Sequence, residues 1–398
     1  MKHLFTLALL TCSLLFCHAE TFVDNDIAYQ VNSDGTSVSV TYIKDTGWNW
    51  KSWNNYEDET IVIPETVSNG DVTYPVTAIG TCAFSNSHKL TTVILPSTIR
   101  RIESYAFANC DNLSVLELPN GLEEIATWAF FNCHLDKLVI PPSLKKVESA
   151  AFYSEISGGG ASNVYISDLS AWLKIDFGQE GNPTRSHFYL NNEPIAQLII
   201  PDDIEDVKRC ALMNIDCEEI IVPDHVSSIG EYAFYGCKAQ YIKIGEGVKE
   251  INSWALSYCN YQTIELGSSV ETIYSPNFNN IPNLTTIITH APQPPTLGTR
   301  TGAYQIFTYF HGRDDDEDDY NLSTKTLVVP KGAKDAYSNA TKWKEFGHIM
   351  EEGDEEPTHI TAVQDNSNPT PLYDLQGRIV NHPRERSLYI KNGKVILF

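Results

Sequence analysis

The sequence has few basic residues for its length. Its 398 residues include 28 Lys and Arg against 51 Asp and Glu, which gives a formal net charge of −23. A surface of this sign repels phosphate groups, so nucleic acid is disfavoured as a partner. After Cys17 no apolar run reaches the ~18 residues of a membrane-spanning helix. We therefore expect no nucleic-acid partner and no membrane span.

Sequence signatures of catalysis are missing as well. The chain contains no His-Glu-x-x-His, Gly-x-Ser-x-Gly or Gly-x-Gly-x-x-Gly segment, and no two cysteines stand as Cys-x-x-Cys. The histidines share no spacing that is typical of metal ligands. We therefore expect a protein that is not an enzyme and that needs no cofactor.

One acidic run leaves a question about metal binding open. Residues 314–319 are six consecutive acids, and hard cations such as Ca²⁺ bind several carboxylates at once. The run lacks the alternation and the glycine that fold such a loop around a cation. We interpret it as a solvated acidic loop, with a weak calcium site as the alternative.

The N-terminus is typical of an export signal. Lys2 and His3 precede an apolar run over residues 4–17, and Ala19 places a small residue at the cleavage point. We predict a signal peptide over residues 1–19 and hence a secreted or outer cell-surface protein. A lipid anchor on Cys12 or Cys17 is the alternative.

The dominant feature of the sequence is an internal repeat. An Ala-Phe pair, or a close variant, recurs with steps of 23, 23, 22, 60, 22, 22 and 22 residues. The pairs are Ala83-Phe84, Ala106-Phe107, Ala129-Phe130, Ala151-Phe152, Ala211-Leu212, Ala233-Phe234, Ala255-Leu256 and Asn277-Phe278. Each unit reads L-x-x-L-x-L-P-x-x-L-x-x-I-x-x-x-A-F-x-x-C, with Gly replacing Pro in two units.

This unit predicts a solenoid with short parallel strands on one face. The L-x-L alternation is typical of a strand with one inward face, and the Pro or Gly that follows ends the strand. One unit cannot bury its apolar face alone, so we expect stacked units to share one core.

The units resemble the BspA-type, or Treponema pallidum-type, leucine-rich repeat of bacterial surface proteins. Residues 113–133 and 226–237 carry the pattern nearly in full, and the similarity covers roughly residues 60–290. The resemblance implies a right-handed, α/β-type leucine-rich-repeat solenoid, a secreted or cell-surface location, and adhesion to host proteins. It implies no enzyme, and it supplies no binding residues because the family has no universal ones.

The 60-residue step marks an insert, which we place at residues 154–192. Val164-Tyr165-Ile166 predicts a strand within it, and Ser167 is the expected cap of a short helix. Hairpins are predicted over residues 27–42 and around Asn69-Gly70, a last strand over residues 326–330, and a capping helix over residues 333–346. The predicted segments are a signal peptide (1–19), an N-terminal β cap (20–59), the repeats (60–290), a terminal rung with a helical cap (291–350), a linker (351–371) and a C-terminal β tail (372–398).

The C-terminal tail differs from the rest of the chain. Residues 372–398 contain five Lys or Arg and two Asp or Glu, although the protein as a whole is acidic. With Tyr373-Asp374-Leu375-Gln376-Gly377-Arg378 and Asn392-Gly393-Lys394, the tail resembles the sorting signal of Bacteroidetes type IX secretion cargo. A small β-hairpin cap is the alternative interpretation.

The cysteines follow the repeat. Nine cysteines less the two in the predicted signal peptide leave seven, an odd number that cannot pair completely within the chain. Cys110, Cys133, Cys237 and Cys259 occupy one repeat position, where Ile also occurs, so the position is small and apolar. We predict buried free thiols, because side chains that lie parallel in a ladder fit disulfide geometry poorly.

Two outward columns are candidates for binding. On each strand, the residue between the two inward ones faces out, and this column is rich in Ile and Val. We predict a ligand-binding surface at the middle of the sheet, beside the insert, formed by Tyr165, Ile199, Ile221 and Lys243 of this column and by Tyr241 of the column before it. The alternative is that β-branched residues in this column simply suit strands. A second stripe, Tyr105, Trp128, Tyr232 and Trp254, lies beside the Ala column, and its rings are expected to stack.

The first functional hypothesis is a secreted or surface-attached, non-catalytic adhesion module that recognises a host or neighbouring-cell macromolecule through the strand face. The alternative is an extracellular glycan-handling protein, either a carbohydrate-binding accessory protein or a hydrolase. A hydrolase requires two carboxylates across one cleft. Glu117 and Glu265 share the outward column but lie many repeats apart, which argues against it.

Overall fold

The structure is a computed structural model that describes residues 20–42, 56–154, 159–299, 307–310, 317–319, 321–354, 388–391 and 394–397. The predicted signal peptide, residues 314–316 of the acidic run and residues 355–371 of the predicted linker lie outside the described residues. The chain divides into two units, residues 1–354 and 355–398. The first unit contains the solenoid.

The L-x-L segments form the strands of a parallel ladder, here called the main ladder. It consists of three sheets. The first sheet contains Thr60–Val62 and Thr92–Ile94, and the second contains Val115–Glu117, Leu135–Ile140, Ala161–Ile166, Thr184–Leu190 and Glu193–Pro194. The third sheet contains Gln197–Ile199, Glu219–Val222, Tyr241–Ile244, Thr263–Leu266, Thr286–Thr289, Thr326–Val329 and His348–Glu351. All pairs are parallel except the short antiparallel pair at the end of the second sheet. In the third sheet Ile220, Ile242, Ile264 and Ile287 are directly opposite one another. The predicted repeat register and solenoid are therefore confirmed.

Strands also form on a second face of the solenoid, in two further parallel ladders, so the prediction that strands are confined to one face is wrong. The apolar column that includes Ile102, Ile125 and Val147 lies in two-residue strands that pair in parallel. These ladders contain Val72–Ile79, Arg101–Ile102, Glu124–Ile125, Lys146–Val147 and Asp176–Phe177, and in the second half Asp206–Val207, Ser228–Ile229, Glu250–Ile251, Thr272–Ser275 and Thr296–Thr299. The stacked turns need partners for their buried peptide groups, and neighbouring turns supply them.

The core is a continuous stack of side chains between the main ladder and the two further ladders. Phe84, Phe107, Phe130 and Phe152 lie in successive turns with ring centroids 5.2, 5.2 and 4.9 Å apart, and none is more than 2% exposed. Stacked aromatic pairs contribute ~0.5–1.5 kcal/mol beyond the burial of their area. The Phe column therefore links adjacent repeats directly.

The insert contains a short helix, Leu169–Leu173, whose cap was predicted wrongly. Asp168, and not Ser167, caps it, because the Asp168 side chain accepts a hydrogen bond from the Ala171 amide at 2.9 Å. Trp172 anchors the helix in the core and donates from Nε1 to the Ala211 carbonyl at 2.8 Å. The predicted strand is confirmed, since Val164-Tyr165-Ile166 lies within Ala161–Ile166, and a second strand, Thr184–Leu190, follows the helix.

The N-terminal end of the core is closed by antiparallel strands. The predicted hairpin is confirmed as Ile27–Val31 and Val38–Thr41, and Thr21–Asp24 adds a further strand. The hairpin around Asn69-Gly70 is also confirmed, with Thr66–Asn69 opposite Val72–Ile79.

The C-terminal end of the core departs from expectation. Thr326–Val329 forms the predicted strand, but His348–Glu351 pairs with it and adds another rung. The predicted single capping helix is two pieces, the helix Lys334–Asn339 and the 3-10 helix Trp343–Glu345. A second 3-10 helix is Leu322–Thr324, and Thr308–Phe310 pairs with Glu317–Asp319. In the second unit, Leu388–Lys391 and Lys394–Leu397 form an antiparallel hairpin.

Candidate functional site

The strand face is the set of side chains that point outward from the main ladder. Its central column runs through Val62 and Ile94 in the first sheet, through Glu117, Val139, Tyr165, Tyr189 and Pro194 in the second, and through Ile199, Ile221, Lys243, Glu265, Ile288, Val328 and Met350 in the third. The five predicted site residues all lie on this face. The structure divides them between two sheets, with Tyr165 in the second and the other four in the third.

Tyr165 is part of an aromatic pair on the second sheet. Its ring stacks on that of Tyr189 in the neighbouring strand, with centroids 4.5 Å apart and an interplanar angle of 8°. Lys137 lies over the outer side of the pair, 5.2 Å from the Tyr165 centroid. The Tyr189 hydroxyl donates to the Asn163 side chain at 3.3 Å. The pair is thus a flat, half-buried apolar surface with polar groups at its margin.

Ile199 and Ile221 are directly opposite each other at the start of the third sheet. Ile199 is 49% exposed, and Ile221 is half-buried. Between the second and third sheets lies a cavity of about 390 Å³, lined among others by Tyr189, Pro194 and Lys238. The tyrosine pair and the isoleucine pair therefore lie on the two sheets that border this cavity.

Tyr241 and Lys243 belong to a charged cluster centred on Glu265. Lys243 Nζ lies 2.8 Å from Glu265 Oε1, and the Tyr241 hydroxyl donates to Glu265 Oε2 at 2.5 Å. His290 Nε2 lies 3.1 Å from Glu265 Oε1, and its Nδ1 lies 2.6 Å from Glu352 Oε1. Glu265 and Ile288 lie in the outward column, which was expected to be exposed, but this expectation is wrong at both positions, since they are only 6% and 4% exposed.

The Glu265 carboxylate stays ionised although it is buried. Burial raises its pKa, but hydrogen bonds from His290, Lys243 and Tyr241 outweigh burial and hold the pKa of Glu265 at about 2, against 4.5 ordinarily. The hydrogen bond to Glu265, opposed by burial, raises the pKa of His290. Burial and the Glu265 charge raise the pKa of the Tyr241 hydroxyl, so this group acts as a donor.

This charged cluster is a poor candidate for chemistry. A carboxylate with a pKa of about 2 is a weak base, and its neighbours are donors already directed at it. Among the described residues, no group of three or more His, Cys, Asp or Glu is arranged to hold a metal ion. The cluster is better understood as a fixed polar margin beside the apolar part of the strand face.

The seven cysteines of the solenoid are buried free thiols. Cys110 Sγ donates to the Phe84 carbonyl at 3.1 Å and Cys133 Sγ to the Phe107 carbonyl at 3.0 Å. Burial raises the pKa of Cys110 and, to about 11, that of Cys210. Such thiols are packed and unreactive and do not serve as nucleophiles.

Three residues of the aromatic pair and the charged cluster were not predicted from the sequence. Tyr189 completes the aromatic pair, and His290 and Glu352 complete the charged cluster. Tyr189 and His290 are visible once the repeat register is extended, because Tyr189 is at an outward position of its strand and His290 directly follows the strand Thr286–Thr289, two residues after the outward Ile288. Glu352 had no such signal, since it directly follows the strand His348–Glu351, which lies outside the repeat pattern.

The strand register, the shared Phe core and the open strand face define a leucine-rich-repeat solenoid. A family model described as "BspA type Leucine rich repeat region" matches the chain in six copies, over residues 60–157 and 205–293. The matched stretches lie on either side of the insert. No curated protein matches the sequence significantly.

Solved structures with similar repeats come from several bacteria. A leucine-rich cell surface protein of Faecalibacterium prausnitzii is 16% identical with a TM-score of 0.28, and the match covers 84% of this chain and 95% of that one. The leucine-rich repeat protein of T. pallidum is 22% identical with a TM-score of 0.37, and the match covers 55% of this chain and 89% of that one. A leucine-rich repeat protein of Bacteroides ovatus is 17% identical with a TM-score of 0.28, and the match covers 83% of this chain and 99% of that one. Likeness at this level transfers no function. Within the described residues, no helix has the length and apolar character needed to cross a membrane.

Proposed function

We propose that this protein is a secreted or cell-surface binding module that recognises a macromolecule of a host or neighbouring cell and catalyses no reaction. The observation that carries the proposal is the exposed apolar column of the strand face. Val62, Ile94 and Ile199 are 58%, 52% and 49% exposed, and Val115 beside them is 46% exposed. Exposed apolar side chains that recur along one face indicate an interaction surface.

The strand face is large enough for a specific interface. Seven strands about 4.8 Å apart give the third sheet a width of about 30 Å. With four-residue strands about 13 Å long, this sheet covers about 400 Å², so the second sheet must contribute to the about 800 Å² that a standard interface buries on each partner. A rigid sheet also binds without ordering a loop, so less conformational entropy is lost on association.

The contact residues are those that combine exposure with apolar area. Tyr165, stacked on Tyr189, and the pair Ile199 and Ile221 are the expected anchors, because aromatic and large apolar groups dominate interface energies. Tyr241 and Lys243 form the polar margin, since both are held by Glu265.

The glycan-hydrolase alternative gains nothing from the geometry of the strand face. Glu117 and Glu265 lie in different sheets, and Glu265 is occupied by three donors. Export through the predicted signal peptide, and a role of residues 372–398 in sorting or as a β cap, are parts of the same proposal.

The test is a binding screen of residues 20–398 against purified extracellular-matrix proteins, collagen and laminin among them, by biolayer interferometry. Tyr165→Ala and Ile221→Ser are expected to weaken any binding found by ~1 kcal/mol or more each, about fivefold, while the fold is kept. These are cleaner variants than Tyr241→Ala, which also removes a hydrogen bond from buried Glu265.

The matched control is Val72→Ser, which changes an exposed apolar residue away from both the strand face and the stripe of Trp128 and Trp254. If both strand-face variants bind normally while Trp128→Ala or Trp254→Ala abolishes binding, the strand face is not the site.

A further inference from the structure

A second surface is built from aromatic residues held in an unfavourable backbone conformation. The residue before the repeated Ala is left-handed in successive turns, including Tyr105 (φ 57°), Trp128 (φ 62°), Tyr232 (φ 58°) and Trp254 (φ 62°). This conformation costs ~1–2 kcal/mol for a residue with a Cβ and favours Gly or Asn. Large aromatic side chains there are a reason to look for a function.

These residues and their neighbours form two groups, here together called the aromatic row: Tyr105, Trp128, Phe131 and Tyr153 before the insert, and Tyr232, Tyr235, Trp254 and Tyr258 after it. Within the first group, Trp128 lies 5.2 Å from Tyr105 and 5.4 Å from Phe131. Within the second, the Tyr232 and Trp254 rings are stacked nearly parallel, with an interplanar angle of 6° and centroids 5.9 Å apart. Tyr153 and Tyr258 are 38% and 40% exposed, so the row presents ring faces and edges to solvent.

A cleft lies where the insert separates the two groups. Its volume is about 420 Å³, and it is lined by Tyr153 from the first group and by Tyr232 and Tyr235 from the second. This volume falls in the ~300–1,000 Å³ range of small-molecule sites. Gly159 and Gly160 allow the insert to approach closely, since a Cβ on them would meet the Phe152 and Pro183 carbonyl oxygens at 2.4 Å each. The cleft is therefore a built feature of the insert.

The polar groups of the cleft are of two kinds. Asn182 and Asn214 are fixed, with Nδ2 donating to the Cys210 carbonyl at 2.7 Å and to the Thr184 carbonyl at 3.0 Å respectively. Gln179, Glu180 and Arg185 are exposed, and their side chains make no hydrogen bond to any described residue.

Thr184 adds a further unmet hydrogen-bonding group. It is 2% exposed and lines the cleft, and its hydroxyl has no partner among the described residues. A buried hydroxyl without a partner costs free energy that a bound polar ligand or water can recover.

From this arrangement we infer that the cleft and the flanking aromatic row bind a neutral oligosaccharide. A sugar ring offers an apolar C–H face for stacking on the tyrosines and hydroxyls that both donate and accept hydrogen bonds. Gln179 can donate and accept hydrogen bonds with those hydroxyls, Glu180 can accept them, and Arg185 can donate them. A rigid aromatic row on both sides of the cleft suits a chain longer than the cleft itself.

The charge of the site favours a neutral sugar over an anionic one. Glu180 offsets Arg185 in the cleft, and the whole chain carries a net charge of −23, which repels anionic polysaccharides. Binding without cleavage is expected, because Glu180 is the only carboxylate among the described lining residues and glycoside hydrolysis generally uses two. The site shares no residue with the strand face, so either proposal can fail alone.

The test is affinity electrophoresis of residues 20–398 in native gels that contain starch, galactomannan, xyloglucan or mixed-linkage β-glucan, with a polygalacturonate gel in parallel. At least one neutral polysaccharide is expected to retard the protein. Tyr153→Ala and Tyr235→Ala are each expected to weaken that binding about tenfold. Tyr189→Ala on the strand face is the matched control and should bind as the unchanged protein does.

Thermal melts establish that each variant folds, and Tyr153→Ala, at an exposed position, decides the matter if Tyr235→Ala does not. No retardation by any of the four neutral polysaccharides overturns the inference. Retardation by polygalacturonate alone overturns the choice of a neutral ligand. Retardation that persists in both folded aromatic variants overturns the location.

Discussion

The buried Glu265 carboxylate offers the sharpest test of the energetics of the strand face. A fall in its pKa from 4.5 to about 2 on folding corresponds to about 3 kcal/mol of stability at neutral pH. Replacing it by Gln removes the charge and leaves Lys243 and His290 without their shared partner. We expect Glu265→Gln to lower the free energy of unfolding at pH 7 by about 3 kcal/mol, measured by urea titration.

The pH dependence follows from the direction of each pKa change. The Glu265 contribution is fully present above pH 4.5 and is lost as pH falls toward 2, so the difference from the variant shrinks to about 1 kcal/mol at pH 3. His290, whose pKa is raised on folding, contributes below pH 6.5, and this contribution is lost as pH rises through its folded pKa. In Glu265→Gln the pKa of His290, followed by NMR, should move back toward 6.5.

The control for this prediction is Glu117→Gln in the same outward column. Glu117 is exposed and lies 3.8 Å from Lys137, so its loss should change stability by no more than ~0.5 kcal/mol. Equal effects of the two substitutions would refute the reasoning. So would a Glu265→Gln difference that stays constant from pH 7 to pH 3.

Two further predictions concern the core. Leu118 is 5% exposed in an inward column, so Leu118→Asp should lower the free energy of unfolding by ~4 kcal/mol or more, while Glu117→Ala beside it should leave it nearly unchanged. Similar urea midpoints for both variants would show that the strand register is wrong. Alkylation under denaturing, non-reducing conditions, read by mass spectrometry, should label most of the seven thiols of residues 20–398, and fewer than about half would instead indicate bridges between turns.

The repeat was predictable because one rule is applied many times. Each apolar column must meet its own kind in the next turn, so a spacing of 22 or 23 residues dictates that Leu116 lies opposite Leu138 and Ile242 opposite Ile264. The N-terminal hairpin was equally visible, since two alternating segments flank Asp34-Gly35.

The irregular parts were less predictable because they depend on contacts that no period describes. The helix cap was predicted at Ser167 but is Asp168, whose carboxylate accepts a hydrogen bond from the Ala171 amide. The extra strand His348–Glu351 follows from pairing with Thr326–Val329 and carries no repeat signature of its own.

The sequence by itself determined the solenoid, its register and the side of each strand that faces outward. The reason is that hydrophobic periodicity is a local property of each repeat, and the repeats stack in the same register. Only the tertiary structure decided which outward residues are buried and which are free. Glu265 is buried because Lys243 and His290 contact its carboxylate, and these two residues come from the turns before and after the turn that contains Glu265. The cleft beside Tyr153, likewise, exists only because the insert separates two groups of aromatic residues that are distant in the chain.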